Sequence, residues 1–433
     1  MKKTQFLITA GLIVLSSIVN AQTNKRASVK NYLQYGDIDK AKEKIEQVVV
    51  HEKTKQDPLS WFYRARVYHA IYNIDSYKKA DRRCEAEGTV AEYRKLDPNP
   101  LPKSIESYKK ALLYSVKGIN YDEYNLDKNI DRLKFMKLLQ DPSTRYNDQQ
   151  TLGFILAQYL PILHNTVYND GITAFEKKDY KKALELFKDA ELLLALRGET
   201  DTVAINSAAY AALNAKDTEE TIKYFKKLKD LNYGKNDDEK GKVYYFLAKA
   251  YLEKQDTNKY LKTLKKGRKV APSSSVLLTE TINYYITTNK TKEAKDMLLL
   301  ATKKDPNNKL LYFNLGTIYE KEDSLNKAID MYKKSIEIDP NYTSGLYNLG
   351  ALYNNNGAKL VKEADDIPPT EQKKYEAKLK EANEEFKKAL PYLEKVHQLE
   401  PKDMATMAAL KGIYYSLKMM DKYEAITKEI KGE

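Results

Sequence analysis

The phrase YFNLGTIY at residues 312–319 returns as LYNLGALY at residues 346–353, an offset of 34 residues. Sliding the chain along itself by that interval puts Tyr251, Tyr285, Tyr319 and Tyr353 in one column and Pro272, Pro306 and Pro340 in another. Ala248, Ile282, Gly316 and Gly350 share a third column, Ala294 and Ala328 a fourth, and Leu264, Leu298 and Tyr332 a fifth. A fixed period of this length constrains the fold more than composition can, because it means one supersecondary unit used many times.

Spacing inside the unit gives its secondary structure. Tyr312, Leu315 and Tyr319 recur at intervals of three and four, and Ala328, Tyr332 and Ser335 do the same further on, so each trio lines one stripe of a helix. The intervening EKEDSLNK is polar and turn-prone, and Asp339-Pro340 closes the second helix because proline disfavours helical geometry in its predecessor. Small residues at Gly316 and Ala328 let the two helices cross closely, with aromatics filling the surrounding space. One hairpin leaves its outer apolar flanks wet, and stacking the next hairpin buries them, so the expected product is a cooperative, elongated array. Only 16 Gly and 13 Pro in 433 residues agree with an all-α chain.

An aromatic, then Leu-Gly, Tyr, Ala, an aromatic and Pro at a 34-residue period resembles the tetratricopeptide repeat. The resemblance implies an α-solenoid of stacked antiparallel hairpins forming a superhelix, with repeats near residues 164–197, 201–234, 241–274, 275–308, 309–342 and 343–403 and a terminal cap at 404–433. Gly171, Tyr180, Ala183, Phe187 and Ala190 fill the columns of the first of these, whereas Asn232 replaces the terminal proline of the second. Residues 22–163 read as divergent helical repeats with an insertion. Trp61, Ala65 and Tyr68 suit a first helix, Ser104, Tyr108 and Ala111 a second, and GDIDKAKEKIEQVV at 36–49 a worn second helix, while 117–163 fit no repeat.

The pattern breaks after Tyr353. Pro401 closes the next recognisable second helix 61 residues after Pro340, which is 27 more than the period. Tyr375, Leu379, Ala382, Phe386, Ala389 and Leu393 alternate spacings of four and three, and Leu349, Tyr353, Leu360, Ala364 and Ile367 supply a partner seam, with Pro368-Pro369 at the turn. Both helices of one hairpin are therefore expected to be lengthened into a projecting arm. A similar lengthening is expected between Tyr68 and Ser104, turning near DPNPLP at 97–102.

Residues 1–21 read as a signal peptide: MKK, then the apolar run FLITAGLIVLSSIV, then Val19-Asn20-Ala21, leaving Gln22 as the mature N-terminus and no later stretch apolar enough to span a bilayer. The expected location is thus exported, in the periplasm or outer envelope. The lone Cys84 can form no internal disulfide. Removing Lys2 and Lys3 takes the net charge from +13 to +11, and residues 221–271 hold fifteen Lys or Arg against six Asp or Glu. Lys262, Lys265, Lys266, Arg268 and Lys269 are the candidate basic patch for an anionic envelope glycan or lipid; a solvated helix face is the competing reading. An exported chain without a recognised motif is not expected to bind nucleic acid.

Catalytic and metal motifs are missing from the sequence. His51, His69, His164 and His397 are scattered, with no HExxH and no paired cysteines. GKNDDEKGKV at 234–243 evokes a phosphate loop, but its spacing is wrong, Val243 replaces Ser or Thr, and no strand precedes it. No catalytic residue, metal ligand or cofactor is assigned, and an enzyme is not expected.

What remains is binding. The resemblance implies that first helices line a concave groove, which assigns Tyr245, Lys249, Thr279, Asn283, Phe313, Thr317, Glu320, Tyr347, Ala351 and Asn354 to a groove for peptide or protein segments. Lys249, Asn314 and Asn348 match parts of the carboxylate clamp of chaperone-binding members, but Phe313, Ser344 and Thr317 stand where more of it belongs, so that ligand does not transfer. The resemblance extends to exported repeat proteins of Gram-negative, Bacteroidota-like envelopes. The expected role is a non-catalytic scaffold that uses groove and arm.

Overall fold

The computed structural model describes residues 24–431, so the expected signal peptide lies outside the described residues. Those residues are helical throughout, joined by turns, with one isolated antiparallel bridge between Val116 and Tyr146. No described helix is long and apolar enough to cross a membrane. The chain divides into two compact units, residues 1–267 and 268–433.

In the first unit, α1 (24–35), α2 (Ile38–Val49) and α3 (Pro58–Tyr72) lead to α4 (Ile74–Ala80), α5 (Val90–Arg94) and α6 (Pro100–Tyr114). Helices α3 and α6 pack side by side, and Ser104 Oγ donates to Ala65 O at 3.0 Å where they cross. The segment between them is not the long helical arm that the spacing suggested. Asn73 leaves helical geometry at φ −158° and its side chain accepts from Ser76 N–H, which stops α3 and starts α4. Pro98 then holds the chain out of a helix until α6 begins at Pro100, whose first turn accepts Pro100 and Pro102 because the N–H groups there have no partner within the helix. The inserted residues thus fold back over α3 as short helices.

Residues 117–163, which fit no repeat, form α7 (Asn129–Gln140) and α8 (Gln149–Phe154), and a π-turn at Ile155–Tyr159 runs into α9 (Leu160–Glu176). From there hairpins take over: α9 with α10 (Tyr180–Ala195), α11 (Thr202–Asn214) with α12 (Thr218–Asp230), then α13 (Asp237–Glu253) followed by α14 (Thr257–Val270), which carries the division between the units. Each of α9 to α13 packs on its chain neighbour.

The second unit holds α15 (Ser275–Thr287), α16 (Thr291–Lys304), α17 (Lys309–Lys321), α18 (Leu325–Ile338), α19 (Thr343–Asp365), α20 (Gln372–Leu399), α21 (Met404–Ser416) and α22 (Met420–Lys431). These helices also pack in sequence. Close approach is enforced by missing side chains: a Cβ on Gly316 would lie 2.6 Å from the Tyr332 ring, and one on Gly350 would lie 2.7 Å from Leu393. Helices α19 and α20 have 23 and 28 residues where α17 and α18 have 13 and 14. At about 1.5 Å per residue they overreach their neighbours by roughly 15–20 Å. Their seam buries Ala364, Ala382 and Phe386, with Gly357 under the Phe386 ring. Asn356 also donates to Glu385 at 2.9 Å.

Between the two helices of a hairpin the chain reverses in one recurrent way. Lys178, Lys216, Gln255, Asn289, Asp323 and Lys418 all have φ between 53° and 63°, the left-handed region. The next residue's N–H reaches back five residues to a carbonyl: Asp179 to Ala174, Asp217 to Ala212, Asp256 to Tyr251, Lys290 to Tyr285, Ser324 to Tyr319 and Met419 to Tyr414, at 2.8–3.0 Å. This is a Schellman-type close, and it normally recruits glycine. None of the six positions carries one, so each holds a strained L-residue. Lys216→Gly is expected to raise the urea stability of the full chain by about 0.5–1 kcal/mol, whereas Lys216→Val lowers it by about 1 kcal/mol or more. Equal midpoints for the two variants would contradict the turn assignment.

Candidate functional site

A cluster of titratable groups is buried inside the first unit. Arg66 is 4 % exposed, donates to Tyr77 Oη at 2.7 and 3.0 Å, pairs with Asp81, and stacks against Phe62, Tyr63, Tyr77 and Tyr159. His69, fully buried, bridges Tyr108 Oη at 3.3 Å and Ser76 Oγ at 3.0 Å, and Thr166 donates on to Ser76 at 2.7 Å. Burial, and then the nearby Arg66, pushes His69 down to about 3. Burial likewise pushes Tyr77 and Tyr108 above the ordinary phenol range. Arg66, His69, Tyr77, Asp81, Ser76 and Tyr108 all find polar partners within the cluster, which is a packed polar core. Among the described residues, no group of three or more His, Cys, Asp or Glu could hold a metal ion.

The ten sequence-assigned groove residues fall in both units. Tyr245 and Lys249 sit on α13 in the first, with the Tyr245 ring edge-on to Phe246 at 5.1 Å. In the second unit Thr279 and Asn283 are exposed on α15, Phe313, Thr317 and Glu320 are half-buried on α17, and Tyr347, Ala351 and Asn354 are half-buried on α19. The structure brings Phe313 and Tyr347 to one cavity of about 400 Å³, shared with Thr343, Ser344 and Asn348 and bordered by Val396 of α20, Glu400 and Asp403 of the turn after it, and Ala405 of α21. Phe313 is wedged between Tyr332 at 5.8 Å and Tyr342 at 5.4 Å.

Thr317 Oγ1 donates to Phe313 O at 3.0 Å within α17, and Glu320 serves a different purpose from open contact. Tyr332 Oη donates to Glu320 at 2.7 Å and accepts from Asn348 Nδ2 at 3.3 Å, tying α17, α18 and α19 together behind the cavity. Burial, and then the bond to Glu320, pushes Tyr332 up to about 12. Sequence reading placed Tyr332 in a packing column, and the ring is indeed buried; its hydroxyl as a cross-helix tie carried no separate signal. Glu400 and Asp403 were missed because they belong to the turn after the lengthened hairpin, where the 34-residue register is lost.

The basic candidates lie on α14. Lys262, Lys265, Lys266 and Lys269 are exposed, whereas Arg268 is half-buried, and burial lowers its pKa. Much of the local lysine excess is already paired: Lys223 with Glu220, Lys227 with Glu191, Lys254 with Glu219 and Lys259 with Asp256. Lys262 and Lys266 border a cavity of about 250 Å³ with Lys229, Lys259, Tyr244 and Tyr251.

Residues 310–342 match the tetratricopeptide repeat family, and residues 331–362 match a second description of the same repeat. Within residues 310–362 the chain carries tetratricopeptide repeats. Such repeats generally mediate protein–protein interactions and are typically non-catalytic. Among solved structures, YrrB, described as a tetratricopeptide repeat protein with an unusual peptide-binding site, is 18 % identical, covering 42 % of this chain and 89 % of its own at a TM-score of 0.33. MamA is 19 % identical over 44 % of this chain and 90 % of its own, with a TM-score of 0.35. A tetratricopeptide repeat protein from Bacteroides fragilis is 22 % identical over 58 % and 98 %, with a TM-score of 0.27. No curated protein matches the chain. The fold assignment rests on the helices and the repeat columns themselves.

The buried polar core yields a pH prediction. His69 has a folded value below its free value of about 6.5, so only the unfolded chain takes its proton readily. Its contribution is complete above pH 6.5 and is lost as pH falls towards 3, by up to about 1.4 kcal/mol per pH unit. His69→Gln is expected to flatten the urea-stability profile between pH 6.5 and 4 by that one-proton slope. Parallel profiles for variant and parent would refute the assignment.

Proposed function

We propose that the chain is an exported, non-catalytic scaffold of a Gram-negative cell envelope of the Bacteroidota type, which holds peptide or protein segments in its repeat groove and through the α19–α20 arm. The observation that carries this reading is the 400 Å³ cavity at Phe313, Tyr347 and Asn348. Aromatic faces beside an amide suit an extended chain, the rings reading side-chain shape and the amide pairing with backbone. The Tyr332 tie behind it fixes the wall, so little ordering is left for the bound state.

The reading is tested by affinity capture from cross-linked envelope extracts, followed by mass spectrometry. A reproducible set of protein partners is expected, recovered at least fivefold less by Tyr347→Ala with Phe313→Ala. Recovery of none from wild type would end the proposal. Processing at Gln22, read from the mass of the mature chain, is expected in the same material.

A second reading is favoured by the small cavity beside Lys259, Lys262 and Lys266, whose two tyrosines and four lysines suit an anionic envelope glycan or lipid head group. It predicts sedimentation with envelope material that weakens with salt and is abolished by charge reversal at Lys262 and Lys266. Sedimentation unchanged by that reversal would remove it.

A further inference from the structure

A cavity of about 670 Å³ in the first unit lies between the end of α3, the loop entering α6 with the helix's first turn, and α9 with α10. Its walls carry five carboxylates, and four are engaged. Asp170 accepts from Tyr72 Oη at 2.6 Å and from Arg94 at 3.3 Å; Asp97 pairs with Lys103 at 2.6 Å and Lys42 at 3.6 Å. Asp179 accepts from Lys182 N–H at 3.2 Å, and Glu185 pairs with the Lys182 amine at 3.3 Å. The fifth, Asp189, is half-buried on α10 and has no hydrogen bond or ion pair among the described residues.

The cations around it are turned elsewhere. Lys188 pairs with Glu220 at 3.2 Å, Lys109 of α6 with Asp127 at 2.6 Å, and Lys182 with Glu185. Lys177, in the turn just after α9, is exposed, and Arg94 lies 4.9 Å over the Tyr72 ring while bonding Tyr72 O at 2.7 Å. The wall made by this loop and the first turn of α6 has few donors, since Pro98, Pro100 and Pro102 have no N–H and that of Asn99 bonds Asp97 at 2.9 Å. Leu101, Leu186 and Ala174 add an apolar floor. An unpaired carboxylate above apolar carbon, in an acceptor-rich hollow, calls for a donor-rich cation on an aliphatic stem. Arg94 on Tyr72 and Asp170 already shows a guanidinium held in this manner in the same hollow.

We propose that this cavity receives an arginine side chain of a partner polypeptide, its guanidinium paired with Asp189 and its methylenes resting on Leu101 and Leu186. The volume admits the side chain with its flanking residues. Without the ligand, burial pushes Asp189 up to about 6; Lys182, Lys109 and Lys188 oppose that rise, and Glu185 adds to it. Arginine keeps its charge throughout that range, so binding must weaken as Asp189 takes its proton.

The test is calorimetric titration of the full mature chain with the acetylated, amidated peptide Gly-Pro-Arg-Leu-Gly, its citrulline counterpart, and spermidine. The arginine peptide is expected to bind at least tenfold more tightly than the citrulline peptide and to lose about tenfold in affinity between pH 7.5 and 5.0, the ratio that a carboxylate near 6 dictates. Asp189→Asn is expected to erase both the discrimination and the pH dependence with helix content unchanged by circular dichroism. Thr173→Trp, which fills the cavity and leaves Asp189 in place, is expected to abolish binding as well. Tyr347→Ala, in the other unit, leaves the titration unchanged, so this site and the groove stand or fall separately. Failure of the arginine peptide to bind, equal binding by Asp189→Asn, or spermidine matching the peptide would each overturn the proposal.

Discussion

A two-helix hairpin has two apolar flanks and can cover only one of them itself. That shortage governs both units, because within a unit a hairpin is ordered by lending a flank to the next. In two hairpins of the second unit the crossing is made close by omission, with Gly316 beneath Tyr332 and Gly350 beneath Leu393. Packing at that separation leaves no room for a larger residue, so the glycine and its ring form one structural feature contributed by two helices. The hydroxyl of Tyr332 adds a polar tie to Glu320 and Asn348, which makes the same ring part of the neighbouring cavity's frame.

The first unit meets the shortage in a second way. Before the regular hairpins begin, short helices fold over α3, and the space between is filled by Arg66, His69, Tyr77 and Tyr108 instead of aliphatic carbon alone. Such a core demands that each polar group find a partner, because an unpaired one in that interior costs several times what a bonded one contributes. The partners come from separate segments: Arg66 reaches Asp81 beyond α4, and His69 reaches Tyr108 on α6 and, through Ser76, Thr166 on α9. Specific long-range polar pairing thus replaces periodicity in holding this part of the chain.

That difference explains how much could be read from sequence. Repeat columns are legible because packing at a helix crossing tolerates few residue types, and Tyr319, Ala328 and Tyr332 announce themselves by spacing. Polar cores have no period, so nothing in the sequence joins Arg66 to Asp81 or His69 to Thr166. The insertion after Tyr68 shows the same limit: Asn73 stops one helix and starts another, and its effect depends on a side-chain cap that the apolar pattern does not encode. At the groove, Phe313 and Tyr347 follow from register, whereas Glu400 and Asp403 come from the far side of an insertion that breaks it. Asp189 was invisible for a different reason, since one aspartate among many gains meaning only when its neighbours prove to be engaged elsewhere.

The reversal between α19 and α20 differs from the six left-handed closes. It runs through Pro368 and a single turn at Pro369–Glu371, away from the stacked ends of the other hairpins. Because the seam below it repeats roughly every seven residues, matched heptads could be removed from or added to both helices while every side chain below kept its mate. The reach of this element is therefore an adjustable dimension, graduated in steps of about 10 Å, that a lineage can alter without recomposing the body to which it is attached.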